Sequence, residues 1–142
     1  MGEKRYIRVL HALLTELTAM PETDAVLFFG SVQRGQAQAT SDLDLYVVTS
    51  GTEYWRAGRV LEGVEIELFF NPASKMRERL EQGDPVAIHG FATGELLLDR
   101  SGVGAKLKTL ARALWAAGPR PLTEWQMATW RYRLTDLAQD IE

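Results

Sequence analysis

The chain has 142 residues, 46% hydrophobic and 25% charged, with a net charge of -3 and no cysteine. That length suits one domain able to bury a core without cross-links, and the lack of cysteine excludes disulfides, thiolate zinc sites and cysteine nucleophiles. The acidic balance argues against a dedicated nucleic-acid binder, no apolar run reaches bilayer length, and Met1-Gly-Glu-Lys-Arg leads into an amphipathic pattern without a signal-peptide core, so the expected compartment is the cytoplasm.

Tyr6, Val9, Leu10, Leu13, Leu14 and Leu17 recur at helical spacing, which predicts a helix from about Lys4 to Met20, stopped by Pro21. Ala25 to Phe29 is a short apolar run, expected as a buried strand ending at Gly30. Asp42 to Val48 reads as a second strand with Asp42, Asp44 and Tyr46 on one face and Leu43, Leu45 and Val47 on the other. Tyr54 to Leu61 and Val64 to Phe70 read as two strands joined by a Glu62-Gly63 turn.

Asn71-Pro72 looks like a helix start, a capping side chain followed by proline at the first helical position; that helix should close at Gly83. Pro85 to Gly94 is ambiguous, with a short helix around Ala87 as one option, and Leu96 to Leu98 suits a short strand. Val103, Leu107, Leu110, Ala111 and Leu114 mark a further helix, ended by Gly118-Pro119. Thr123-Glu-Trp-Gln126 is a capping box opening a last helix, whose stripe is Met127, Trp130, Leu134, Leu137 and Ile141. The chain therefore divides into a main domain at residues 1-121 and a terminal helix at 122-142, packing on the domain, on a second copy or on a helical partner protein.

Chemistry concentrates in the middle of the chain. Strand alternation places Asp42 and Asp44 on one face with Cα atoms about 6.5-7 Å apart. Two such carboxylates repel unless a cation lies between them, whereas Mg²⁺ makes the pair a hard oxygen site with positions left for water and phosphate. Gly30 permits close approach of a ligand to the backbone, and a helix beginning near Ser31 would aim free amides at phosphate, with Arg34 adding charge one turn on. Glu65 and Glu67, in Val64-Glu-Ile-Glu-Leu68, share a face, so alternation alone does not choose between them.

Gly30-Ser31, a gap of ten residues, Ser41-Asp-Leu-Asp-Leu45 and a later acidic strand resemble the polymerase-beta-type nucleotidyltransferase superfamily, especially its bacterial minimal and antibiotic-modifying members. The resemblance covers roughly Ala25 to Asn71. It implies an α/β (α+β) fold in which a mixed sheet of about four to five strands is flanked by helices, with C-terminal helices following. It further implies two divalent ions, expected to be Mg²⁺, held by three carboxylates. Asp42 and Asp44 match the metal pair, and Gly30 and Ser31 match the phosphate-binding turn. Glu67, nearer the following helix, is the favoured third carboxylate, as metal ligand or general base. The implied reaction transfers a nucleoside monophosphate, AMP first among them, from an NTP to a hydroxyl of a small molecule, protein or RNA. The alternative is an antitoxin-like binding partner of a helical toxin with little or no catalysis.

Simpler expectations attach to the remaining polar residues. His11 should lie on an exposed helix surface, His89 should be structural, and Lys75, Arg77 and Arg79 should form the wet face of their helix. Asp84, between Gly83 and Pro85, is expected in a turn.

Overall fold

The computed structural model describes residues 2-30, 33, 35 and 42-118. In chain order these form α1 (Gly2–Ala19), β1 (Thr23–Phe29), β2 (Leu43–Thr49), β3 (Trp55–Leu61), β4 (Val64–Pro72), α2 (Ala73–Glu81), α3 (Pro85–Thr93), β5 (Glu95–Asp99) and α4 (Val103–Ala117). The five strands make one mixed sheet in the order β3-β4-β2-β1-β5. The β2/β4 pair is parallel, while β1/β2, β1/β5 and β3/β4 are antiparallel. The expected terminal helix, with its capping box and the 121/122 boundary, lies outside the described residues.

Period-two alternation in the strands sends apolar side chains to both faces, and helices cover both. Val26, Phe28, Leu43, Leu45, Val47, Ile66 and Leu68 pack against Tyr6, Val9, Leu13 and Leu17 of α1. On the other face, Leu27, Phe29, Tyr46 and Val48 meet Met76 and Leu80 of α2, Ala87 and Phe91 of α3, and Leu107 and Ala111 of α4. A sheet buried on both sides explains why β1 and β2 read as near-continuous apolar runs. Among the described residues no helix is long and apolar enough to cross a membrane.

The Glu62-Gly63 hairpin forms as expected. Both residues take positive φ, 49° and 75°, as a two-residue turn of the favoured hand requires. Two ion pairs fasten this hairpin to α1: Arg8 to Glu62 at 3.2 Å, and Arg59 to Glu16. Trp55 stacks on Phe70 with ring centroids 4.4 Å apart, closing the α1 side of the edge strand.

Several boundaries differ from expectation for physical reasons. Asn71 does not cap α2. The parallel ladder with β2 continues to Thr49↔Pro72, so Asn71 remains in β4, buried, and extended Pro72 occupies the N-cap position without a side-chain bond. The ambiguous segment is the α3 helix, and Asp84 is its cap rather than a simple turn residue, its carboxylate accepting from the backbone amides of Val86 at 3.0 Å and Ala87 at 3.3 Å. Asp99 reaches past the αL residue Gly102 to accept from the amides of Gly104 and Ala105, which caps α4 from the end of β5. Arg100 donates to the carbonyls of Thr18 and Met20 at the end of α1, and Lys108 donates to those of Phe91 and Gly94 at the end of α3.

Candidate functional site

The register of the sheet gathers the acidic residues at one end of the α2-α4 face. Directly paired residues share a face, so Phe29↔Asp44, Asp44↔Glu67 and Glu67↔Gly58 form one row across β1, β2, β4 and β3. The next row is Leu27, Tyr46, Phe69 and Arg56. Asp42 immediately precedes β2 on the same side as Asp44, and both are half-buried. Glu67, not Glu65, is therefore the carboxylate directly beside Asp44 within the ladder.

Gly30 closes the row from the β1 side. Its φ is +94°, and a Cβ there would stand 2.5 Å from Oδ2 of Asp44. Glycine is thus required twice, by the backbone angle and by the carboxylate lying against its Cα. Gly35, further along, also has positive φ (72°). Ser31 and Arg34, expected to bind phosphate, lie outside the described residues.

Beneath the carboxylates lies an aromatic shelf. Phe29 and Tyr46 stack with centroids 4.4 Å apart, Tyr46 and Phe69 meet at 5.5 Å, and Phe91 of α3 stacks on Tyr46 at 5.3 Å. Gly90 allows this approach, since a Cβ there would come within 3.2 Å of Tyr46 and 3.3 Å of Phe29. The Tyr46 hydroxyl is pushed up to about 12, first by burial and then by the negative charge of Asp84, with Arg79 opposing the rise and Asp44 adding a smaller upward push.

Arg56 donates from Nε to Oε2 of Glu67 at 2.9 Å while its guanidinium lies 5.1 Å from the centre of the Phe69 ring. The hydrogen bond from Arg56 holds the Glu67 carboxyl below its usual range, opposed in part by desolvation and aided by the charge of Arg56. Lys75 and Arg79 are half-buried rather than wet, standing 5.0 and 5.8 Å from the Tyr54 ring, whereas Arg77 is exposed as expected. His11 is exposed; His89 lies 4.9 Å from Trp115, away from the carboxylates in the contacts it makes.

The donor chemistry suits a hard divalent cation: carboxylate oxygens, no sulfur, and two aspartates at alternate positions of one strand end. Among the described residues, however, no three acidic or histidine side chains converge as a ready cluster. Glu67 is instead engaged across the sheet by Arg56. Arg56 was not singled out from the sequence. The signal was present in the two-residue hairpin, which fixes Gly58 opposite Glu67 and Arg56 diagonal to it on the same face.

With that geometry in place, comparison with known proteins is informative. A family model described as nucleotidyltransferase domain matches residues 10-100. Among solved structures, a nucleotidyltransferase-like protein from Exiguobacterium sibiricum 255-15 superposes with a TM-score of 0.59 at 20% identity, over 72% of this chain. The matched region spans 37% of that protein's chain. A toxin-antitoxin structure with AMP-PNP covers 98% of this chain and 99% of its own, at 12% identity and a TM-score of 0.41, below the level at which a common fold is established. No curated protein sequence matches significantly.

Proposed function

Since this chain belongs to the nucleotidyltransferase-domain family, we propose that its carboxylate row is the donor-nucleotide site of an enzyme moving a nucleoside monophosphate, AMP from ATP in the first instance, onto an acceptor hydroxyl. The observation that carries this reading is the packing of Gly30 against Asp44, with Glu67 beside Asp44 in register. A glycine turn that admits a ligand to the backbone, beside carboxylates at the same sheet end, suits a metal-bound triphosphate.

Asp42 and Asp44 would hold the cations, with Glu67 as third ligand or as base toward the acceptor. Bound there, Mg²⁺ supplies charge neutralisation on the triphosphate and activation of the attacking oxygen. In the reaction the acceptor oxygen forms a bond to the α-phosphorus, the bond from that phosphorus to the bridging oxygen breaks, and pyrophosphate leaves. The acceptor proton passes to a carboxylate at the site. Gly30 keeps the backbone close to the phosphates, and Phe29, Tyr46 and Phe69 form a rigid dry floor that fixes the strand end.

The test is incubation of the purified chain with Mg²⁺ and each α-labelled NTP, measuring nucleotide binding and pyrophosphate release for wild type, Asp42→Ala and Asp44→Ala. Metal-dependent NTP binding lost in both variants is expected. Absence of NTP binding in wild type, with Asp42→Ala indistinguishable from it, would sink the proposal.

A further inference from the structure

Resting on the metal-site reading just given, the geometry points to Arg56 as a resident counter-charge that holds Glu67 in the cation-free chain and yields it when a divalent cation binds beside Asp44. Arg56 is then a positioning residue: it decides when the third carboxylate joins the site.

Four features carry this. Glu67 stands in the same row as Asp44, yet its Oε2 is bonded to Nε of Arg56. The bond is one N–H···O contact, supplemented by the guanidinium lying over the Phe69 ring, and the arginine side chain is 64% exposed against 26% for Glu67, so the arginine is the partner with room to move. Arg56 sits on β3, at the edge of the sheet, where its side chain can swing outward without disturbing the core. Beside Glu67 in its own row is Gly58, and among the described residues nothing lies within 4 Å of where a Cβ would be, which leaves a strip into which either side chain can turn.

The chemistry sets the direction. A guanidinium does not lose its proton in water at any ordinary pH, so Arg56 leaves Glu67 by competition and not by titration. A divalent ion concentrates more charge on a carboxylate than one exposed N–H does, and exposed ion pairs are weak enough to be exchanged. Without the cation, the same contact relieves repulsion between Glu67 and Asp44 on adjacent strands.

Mn²⁺ binding, followed by electron paramagnetic resonance of the free ion, tests this without any turnover. Five chains are compared: wild type, Asp44→Ala, Arg56→Gln, Glu67→Gln, and the Arg56→Gln/Glu67→Gln double variant. Asp44-dependent Mn²⁺ binding should tighten about 2-5-fold in Arg56→Gln, the range set by an exposed ion pair. In the Glu67→Gln background the same arginine substitution should change nothing. Unchanged or weaker binding in Arg56→Gln overturns the inference and leaves the metal site standing. A gain that persists without Glu67 also overturns it, since that is general loss of positive charge. Lack of Asp44-dependent binding in wild type and in Arg56→Gln removes the metal-site reading, and the inference with it.

Discussion

Replacing Gly30 with alanine tests whether the turn and the carboxylate are mechanically coupled. At φ +94° an L-residue carries a left-handed backbone penalty of roughly 1-2 kcal/mol. The added methyl would stand 2.5 Å from Oδ2 and 3.4 Å from Cγ of Asp44, so the carboxylate must rotate away. Driving that side chain off its rotamer adds about 0.5-1.5 kcal/mol. The sum, about 1.5-3.5 kcal/mol, corresponds to a fall of roughly 5-14 °C in Tm for a chain of this size. Thermal unfolding by circular dichroism should be measured for wild type, Gly30→Ala, Asp44→Ala and the double variant. The backbone part must persist in the Asp44→Ala background, while the contact part, about 0.5-1.5 kcal/mol, should vanish. If the full penalty survives without Asp44, the carboxylate does not lie against Gly30 and the proposed packing is wrong.

Tyr46 should ionise only near pH 12, well after exposed phenols, as seen by absorbance titration near 295 nm. Its folded value is raised above the unfolded one, so the associated stability is whole below about pH 10 and is lost as pH rises through about 12. Tyr46→Phe should therefore flatten the alkaline fall of Tm, and an unaltered profile would show that another group sets it. Asp84→Ala should lower stability by about 1 kcal/mol through loss of the two amide bonds at the start of α3, measured by urea unfolding, with Asp84→Asn recovering most of it. Gly94→Ala is expected to cost about 1-3 kcal/mol or more, because its Cβ would meet two backbone oxygens, of Gly90 at 2.4 Å and of Phe28 at 2.8 Å, rather than movable side chains. A near-wild-type Tm for that variant would mean that α3 and β1 are not packed as described.

The parts legible in the sequence are those written in local patterns. Helical spacing of Tyr6, Val9, Leu13 and Leu17 gave α1, and period-two alternation put Asp42, Asp44 and Tyr46 on one face of β2. The less legible parts depend on pairing between distant segments. Alternation within β4 leaves Glu65 and Glu67 equivalent, and only the parallel alignment of β2 and β4 shows that Glu67 is the one paired with Asp44. Asn71-Pro72 carried a plausible local capping signal that lost to ladder hydrogen bonding with β2. Pro85 to Thr93 was ambiguous because its apolar residues are nearly continuous, and it resolves as a helix through the Asp84 cap and burial of Ala87 and Phe91. Lys75 and Arg79 followed the surface rule until the ring of Tyr54 gave them something to lie against.

The Glu62-Gly63 turn is remote from the carboxylates, yet it sets which side chain of β3 can reach them. Because successive residues of a strand point to opposite faces, deleting one residue from β3 beside this turn would shift the strand by one register step. Arg56 would then exchange faces with Trp55, leaving Glu67 without its guanidinium and Phe70 without its stacked indole. Length in this hairpin therefore governs which β3 side chains face the carboxylate row: a substitution along β3 changes one contact, whereas a single-residue insertion or deletion changes every contact the strand makes.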